Sequence, residues 1–227
     1  AMGNVITLNN IEKTYFTKSS QTQALKGVSL SFTEGSFTSI IGQSGSGKST
    51  LLNIIGTLDQ PTKGELLFDE TKTTDMNLEQ LSSLRNELIG FIFQFHYLLP
   101  EFTVLENILM PSYIRKTVTK ETIKRAEDLV NLVGISNEKN KLATDISGGQ
   151  QQRAAIARAL INDPKVILAD EPTGNLDSDL SKKIYELFRK INQETNTTFI
   201  IITHDERIAE KGDRTIEIKD GIIASDK

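Results

Sequence analysis

A glycine-rich loop between two apolar segments constrains this chain more than any other feature. The loop runs from Gly42 to Thr50, after a largely apolar segment at Phe37–Ile41 and before a second one at Leu51–Ile55. A strand that leads through such a loop into a helix binds phosphate, because successive backbone N–H groups turn inward around an anion at the positive end of the helix. The pattern GxxxxGKS therefore predicts a nucleotide-binding site.

Separate roles are expected for the residues of this loop. Lys48 supplies mobile positive charge for the outer phosphates, and Ser49 offers a hydroxyl to a magnesium ion that bridges two phosphates. Its glycines are expected to take backbone angles that other residues avoid. The alternative is a glycine-rich turn without a ligand, which is disfavoured because so many glycines destabilise a loop that wraps nothing. The predicted nucleotide-binding residues of the loop are Gly42, Ser44, Gly45, Ser46, Gly47, Lys48, Ser49 and Thr50.

Composition limits the class of protein. At 227 residues the chain is long enough for a domain with an inserted lobe, and its 26 basic and 30 acidic side chains form no long block, so nucleic-acid binding is not expected. Cysteine is absent, which agrees with a cytosolic protein. No apolar stretch approaches the roughly 20 residues of a spanning helix, so no direct membrane insertion is expected. Ala1–Gly3 looks like a cloning remnant and is left out of the fold prediction.

Four short, largely apolar segments predict strands of a mostly parallel sheet that helices cover on both faces. They are Phe37–Ile41, Leu88–Phe93, Val166–Ala169 and Phe199–Ile202. Three of them end directly in polar residues, namely Gly42, the pair Asp170 and Glu171, and the pair Thr203 and His204. Open α/β sheets bind ligands at the carboxyl edge of their strands, so these residues are expected to gather there.

Two further units are expected around this core. Val5–Leu8, Val28–Phe32 and Glu65–Phe68 predict a small antiparallel sheet. Residues 94–150 predict an inserted helical lobe, in which Thr119 caps a helix and Gly134 ends it. The apolar stripe of that helix comprises Ile123, Ala126, Val130 and Val133. The chain is thus predicted to be a single domain, 1–227. Its α/β core, together with the antiparallel sheet, comprises residues 4–93 and 151–227.

The acidic pair Asp170 and Glu171 closes a predicted strand, and adjacent strand residues point to opposite faces. One carboxylate can hold magnesium while a turn at Pro172 and Gly174 aims the other at a water molecule. An acidic strand end that caps the next helix is the better interpretation for an isolated pair. The glycine loop upstream makes the magnesium and water interpretation preferable here.

The segment Ser147–Gln150 has the pattern of a capping box, in which the serine and the glutamine satisfy each other's backbone N–H groups. This pattern does not explain Gly148 and Gly149, because each glycine in a first turn costs up to about 1 kcal/mol relative to alanine. Something is expected to approach that backbone closely. The exposed N–H groups at a positive helix end suit a phosphate.

Taken in order, these motifs resemble those of the nucleotide-binding subunits of ATP-binding cassette (ABC) transporters over essentially the whole chain. The resemblance implies ATP and Mg²⁺ as ligands, and it implies roles that single residues would not establish. Tyr15, otherwise a strand-end aromatic, would stack on adenine; Gln94 would contact magnesium and water; His204 would bind the outer phosphate. Asp177 would lie at a subunit interface. The other histidine, His96, is not expected to be catalytic.

The site implied by the family has three parts. The catalytic residues would be Glu171, His204, Lys48 and Gln94. The metal ligands would be Ser49, Gln94 and Asp170. ATP would contact Tyr15, the loop residues given above, Ser147, Gly148, Gly149, Gln150 and Asp177.

The resemblance also implies partners. Two copies would sandwich two ATP molecules, each between the glycine loop of one copy and Ser147–Gln150 of the other, at the cytoplasmic face of a membrane where a separate permease docks near Gln94–Pro100. The run from Asp170 to Asp177 is similar to that of the subgroup driving macrolide and antimicrobial-peptide exporters and lipoprotein-release machines. The alternative is a soluble or cell-division-type ABC ATPase that acts as a regulatory coupler.

Overall fold

A six-stranded, mostly parallel sheet forms the centre of the protein, as the computed structural model of residues 3–227 shows. Ala1 and Met2 lie outside the described residues. The strands are β1 Asn4–Phe16, β2 Gln21–Thr33, β3 Phe37–Ile41, β4 Lys63–Phe68, β5 Thr71–Lys72, β6 Ile89–Phe93, β7 Val166–Asp170, β8 Thr198–Ile202, β9 Arg214–Lys219 and β10 Ile222–Asp226. The helices are α1 Lys48–Ile55, α2 Leu78–Leu88, α3 Val104–Ile114, α4 Lys120–Leu132, α5 Gly148–Leu160, α6 Ser178–Thr195 and α7 Glu206–Ala209.

The central sheet has the strand order β10-β9-β3-β8-β7-β6, in which only β10 runs antiparallel to its neighbour. All four predicted parallel strands are confirmed, with shifts of one residue at three ends. Strand β6 begins at Ile89 because Leu88 ends α2, β7 ends at Asp170 rather than Ala169, and β8 begins at Thr198 rather than Phe199. Two of these strands, β7 and β8, are almost completely buried because helices cover both faces. The sheet therefore brings the carboxyl ends of β3, β7 and β8 to one edge.

The predicted antiparallel sheet is confirmed and is larger than expected, with the order β2-β1-β4-β5. Strands β1 and β2 each extend over 13 residues, whereas only their buried parts were predicted. Their outer parts, residues 12–16 and 21–24, are half-buried or exposed, and register shifts interrupt the pairing, so these parts lack the apolar alternation that identifies a strand. This long hairpin carries Tyr15 past the edge of the core.

The helical lobe is confirmed between the two halves of the core. Thr119 caps α4 as predicted, its hydroxyl accepting from the N–H of Thr122, and Gly134 follows the helix with a left-handed φ of 77°. Three of the four predicted stripe residues are buried, but Ile123 is 41% exposed. Helix α5 packs against α3, α4 and β6, so the lobe and the core share it. The boundaries at 94 and 150 stay a prediction.

Asn107 fixes the loop that enters α3, a role without a sequence signal. Its side chain is 1% exposed, accepts from the N–H of Leu99 at 2.7 Å, and donates to three backbone carbonyls, those of Leu99, Phe102 and Thr103. Asn107→Ala is expected to lower the free energy of unfolding by about 2–4 kcal/mol, because these backbone groups would lose a buried partner. Urea denaturation measures the change, with exposed Asn137→Ala as control; an equal, small effect of both variants would contradict this role.

Candidate active site

The glycine loop forms a cradle of backbone N–H groups between β3 and α1. Gly47 precedes α1 with a φ of 105°, and no side chain caps the first turn of that helix. Gly42 differs from the expectation, because it is not in the left-handed region. A Cβ atom there would lie 2.6 Å from the carbonyl oxygen of Ile218, so close packing against β9 rather than backbone angle requires this glycine.

An open cavity of about 600 Å³ lies over this loop. The hydroxyl of Ser46 is buried there and has no hydrogen-bond partner among the described residues. The ammonium group of Lys48 donates only a long hydrogen bond of 3.3 Å to the carbonyl of Gln43, so it can move to a stronger acceptor. All loop residues from Ser44 to Thr50 line the cavity, together with Thr22, Gln23, Ala24, Lys26, Asp220 and Gly221, which sequence patterns did not indicate.

Tyr15 lies at the rim of this cavity. It pairs in the β1–β2 hairpin with Thr22, which lines the cavity, and its ring is 40% exposed. The tyrosine hydroxyl donates to a carboxylate oxygen of Asp59 at 3.1 Å, and the Lys13 ammonium lies 5.1 Å from the ring centroid. These contacts hold a partly exposed aromatic side chain next to a residue that lines the cavity, and the stacking of adenine on Tyr15 stays a prediction.

Asp170 ends β7 opposite the glycine loop. Burial raises the pKa of its carboxyl group, and the neighbouring charge of Glu171 raises it further, while the positive charge of Lys48 acts in the opposite direction. Asp170 and Lys48 thus come close together across the site although 122 residues separate them in sequence (170 − 48). A partly buried carboxylate close to this lysine suits a hard cation that bridges phosphates.

A turn after β7 redirects Glu171 away from the strand. Glu171 has a left-handed φ of 45°, and its N–H donates to the carbonyl of Ile202 at 2.9 Å. One of its carboxylate oxygens lies 2.8 Å from Nδ1 of His204, whose side chain is 73% exposed. The two predicted catalytic groups are therefore in direct contact. Neither acidic residue caps the next helix, because Asp177 is the N-cap of α6.

Tyr185 of α6 lies beneath this pair and was not found from the sequence. It is 3% exposed. Burial raises the pKa of its phenol, and the charges of Glu171 and Asp205 raise it further, so the hydroxyl stays protonated close to the carboxylate. An apolar helix stripe that contains a tyrosine gives no signal of this position.

Gln94 follows β6, at the same edge of the sheet, but its side-chain contacts lead elsewhere. Its amide nitrogen donates to the side chain of Asn175 at 3.1 Å, and the side-chain amide of Asn175 donates to the backbone carbonyl of Gln94 at 3.2 Å. A Cβ atom on Gly174 would lie 2.7 Å from the Gln94 amide. In this conformation Gln94 contacts the loop after Glu171 rather than the glycine loop.

Ser147–Gln150 forms the predicted capping box at the start of α5. The Ser147 hydroxyl accepts from the Gln150 N–H at 3.3 Å, and the Gln150 side chain accepts from the Ser147 N–H at 2.9 Å. A Cβ atom on Gly148 would meet nothing within 4 Å, and one on Gly149 would come no closer than 3.5 Å to Leu180. Packing within the chain therefore does not explain these two glycines, and they do not line the cavity over the glycine loop.

Asp177 is exposed and caps α6, with its carboxylate accepting from the N–H of Leu180 at 2.9 Å. Together with Ser147–Gln150 it belongs to a surface separate from the phosphate cradle. The chain thus brings Lys48, Asp170, Glu171 and His204 to one edge of the sheet and leaves Ser147–Gln150 and Asp177 apart from it.

Residues 3–227 contain neither a metal-binding cluster of side chains nor a membrane-spanning helix. No group of three or more histidine, aspartate or glutamate side chains in this range could hold a metal ion by itself. Magnesium bound to nucleotide needs only one or two protein ligands, since phosphates and water complete its shell. Within the same range no helix has both the length and the apolar character to cross a membrane.

Comparison with known proteins agrees with these features. The family model described as ABC transporter matches residues 25–174. The lipoprotein-releasing system ATP-binding protein LolD 1 of Rhodopseudomonas palustris is 46% identical over 98% of this chain and 100% of its own length. LolD of Bacteroides fragilis is 48% identical over 88% of this chain and 93% of its length.

A solved structure shares the fold and most of the length. It is a dimeric, post-hydrolysis state of the ATP-binding cassette MJ0796 bound to ADP and Pi, with a TM-score of 0.90 and 44% identity over 98% of this chain and 97% of that one. The predicted family and fold are therefore confirmed. The expectation of antibiotic export receives no support, because these relatives are ATP-binding proteins of lipoprotein-releasing systems. Because the family model and relatives of 46% and 44% identity span most of its length, this chain belongs to the ABC transporter family as one of its ATP-hydrolysing cassettes.

Proposed function

We propose that two copies of this chain close around two ATP molecules and use the hydrolysis of ATP to drive a separate membrane permease. The observation that carries this proposal is the pair of bare glycines at the start of α5, which packing within one chain does not require. Exposed N–H groups at a helix N-terminus attract phosphate, and the glycine loop already supplies such a cradle for the chain's own nucleotide. A second copy accounts for both elements, and the similar cassette MJ0796 is dimeric.

The residues at the sheet edge suit an in-line attack on the outer phosphate. Lys48 and the loop N–H groups hold the phosphates and neutralise negative charge. Glu171 accepts the proton of the attacking water, and His204, which contacts Glu171, holds the outer phosphate and orients that water. Two N–H groups of the partner's α5 complete the shell of donors. The twofold arrangement makes ATP the link between the copies and hydrolysis the event that releases them.

Magnesium fits the residues that face the phosphates. Ser49, in the first turn of α1, offers a hydroxyl, and Asp170 offers a partly buried carboxylate close to Lys48. Gln94 would join them after a rotation away from Asn175. The ion supplies charge neutralisation at the phosphate oxygens. The oxygen ligands of these residues would hold such a hard cation against the phosphates.

The permease is proposed to dock on a groove of about 430 Å³ between the edge strand β6 and helices α2 and α3. Phe91, Phe93, Met110, Pro111 and Ile114 supply its apolar lining. The adjoining segment 94–100 exposes Phe95 (62%) and Tyr97 (66%), so the apolar surface continues past Gln94. A short amphipathic helix on the cytoplasmic side of the permease is the occupant that matches such a groove. This docking would place the chain at the cytoplasmic face of the membrane.

The proposed cargo is a lipid-anchored protein extracted from the membrane, because the most similar curated relatives given above are lipoprotein-releasing ATPases. Cargo contacts the permease rather than this chain, so the support comes from similarity alone. The second candidate is a regulatory coupler in which hydrolysis matters little. Lys48, Asp170, Glu171 and His204 are the residue types that ATP hydrolysis needs at these positions. A chain that retains all four favours transport driven by hydrolysis over that candidate.

Co-purification tests the permease partner. The tagged full-length chain is expressed in its own cells, membranes are dissolved in mild detergent, and proteins bound to the tag are identified. We expect a multi-spanning protein to co-purify with the wild-type chain and to be lost from Phe93→Asp, because a charge in the groove opposes apolar contact. Phe16→Asp, at an exposed site in the distant hairpin, is the control. Equal recovery with all three chains would contradict the proposed docking groove, and recovery of no membrane protein would favour the regulatory coupler.

A further inference from the structure

Gln152 is a buried amide at the centre of the molecule with one unexplained polar atom. It lies in α5 and is 0% exposed. Its Nε2 donates to the backbone carbonyl of Pro172, the residue that directly follows Glu171. Its Oε1 has no hydrogen-bond partner among residues 3–227. Buried side-chain amides are normally fully paired, so a glutamine kept at this position needs a reason beyond packing.

The turn that Gln152 holds is the one that carries Glu171. A left-handed φ of 45° at a residue with a Cβ atom costs free energy and persists only where its surroundings impose it. Three hydrogen bonds impose it here: from Glu171 N–H to Ile202, from Gly174 N–H to Glu171, and from Gln152 to Pro172. Of these three, only the last comes from a side chain outside the turn, while His204 contacts the Glu171 carboxylate and not the backbone of the turn. Gln152 can therefore alter the direction of the Glu171 carboxylate without contact with ATP.

The other side of Gln152 faces the segment that adjoins the proposed permease groove. The imidazole of His96 lies beside the Gln152 side chain, and its Nδ1 is buried without a hydrogen-bond partner. An Nδ1–H donor and an Oε1 acceptor are complementary, so a small rotation pairs the two groups that lack partners. Arg158, also in α5, donates to the backbone carbonyls of His96 at 2.6 Å and Tyr97 at 3.0 Å. Helix α5 thus contacts segment 94–100 through two side chains. Arg158 hydrogen-bonds to its backbone, and Gln152 lies beside the imidazole of His96.

We propose that Gln152 is a positioning residue for ATP hydrolysis, which holds the Glu171 turn through Pro172 and joins it to segment 94–100 through His96. The link bypasses Gln94, whose own contacts run to Asn175. Movement of segment 94–100 changes the pairing between His96 and Gln152. The hydrogen bond from Gln152 to Pro172 changes as a result, and with it the direction in which the Glu171 carboxylate points. This inference rests on the proposed role of Glu171 as the base.

The test compares Gln152→Met with the neighbouring Gln151→Met in the full-length chain. Methionine preserves length and burial but removes the amide, and Gln151 bonds only to the carbonyl of Ala143 within the helical lobe. We expect Gln152→Met to lower kcat for ATP hydrolysis about 10-fold or more with KM for ATP unchanged, because small misplacements of a reacting group are costly. Gln151→Met is expected to keep kcat within about twofold. A wild-type kcat in Gln152→Met would overturn the inference.

A second measurement distinguishes two causes of a lower kcat, a misplaced Glu171 carboxylate and damage to the start of α5. In the Glu171→Gln background, Gln152→Met is expected to preserve ATP-driven dimerisation in size-exclusion chromatography. Loss of that dimer would overturn the inference, since the defect would then lie in contact between copies. Rapid hydrolysis by Glu171→Gln alone would instead refute the proposed base, whatever Gln152→Met does.

His96→Leu provides a variant at a half-buried site, which is useful if Gln152→Met folds poorly. We expect a several-fold lower kcat, and in the double variant with Gln152→Met no loss beyond that of Gln152→Met alone, because both changes break one link. Losses that multiply would show independent action and overturn the link through His96. Thermal unfolding of each variant establishes that folded chains are compared.

Discussion

Glu171→Gln is expected to bind ATP as tightly as the native chain while its turnover falls by about 100-fold or more. Glutamine has the shape of glutamate and is compatible with the same turn, but its amide cannot accept a proton from water. The carboxylate that it replaces contacts His204 at 2.8 Å, at the carboxyl edge of the sheet beside Asp170. Since ATP would no longer be consumed, the closed pair of chains is expected to accumulate.

Three measurements check this result: phosphate release, binding of a fluorescent ATP analogue, and size-exclusion chromatography with and without ATP. Glu194→Gln on the exposed side of α6 is the matched control, because it makes the same chemical change away from the site. Control turnover should equal that of the native chain. If Glu171→Gln hydrolyses ATP at more than about a tenth of the native rate, the assigned base is wrong.

Gly149→Asp is expected to abolish turnover almost completely while each chain still binds its own nucleotide. The new side chain has room, since a Cβ atom would approach Leu180 no closer than 3.5 Å, and an acidic residue in a first turn is favourable to the helix. The carboxylate would, however, face the outer phosphate held by the partner chain. Repulsion between these like charges should lower turnover by about 100-fold or more and prevent closure of the pair.

A mixing experiment isolates the contribution of the partner. Lys48→Ala alone and Gly149→Asp alone should both be nearly inactive. Lys48→Ala damages the phosphate cradle of its own chain, whereas Gly149→Asp damages the site formed around the nucleotide of the partner chain. A mixed pair combines the intact cradle of one chain with the intact α5 start of the other and should recover activity well above either variant. Recovery would support a site shared between copies. Full activity of Gly149→Asp in a chain that stays monomeric would contradict the proposed dimer.

The sequence alone was enough to predict which residues form the candidate site, because each of its motifs consists of residues that are neighbours in the chain. Glycines with a lysine and a serine, an acidic pair at the end of an apolar strand, and a capping box with two surplus glycines are all local patterns. Their order also identified the family. Burial and parallel pairing made the four central strands recognisable, because strands covered on both faces are largely apolar rather than alternating.

Only the tertiary structure decided how distant segments meet, because those contacts depend on packing rather than on local pattern. It showed that Gly42 is required by the carbonyl of Ile218, that Asn175 holds Gln94, and that Tyr15 is fixed by Asp59. It also placed β9 beside β3, although the two are far apart in the chain. The bond from Gln152 to Pro172 is the sharpest example: a polar residue inside a helix looks like surface, and only the fold buries it beside the turn of Glu171.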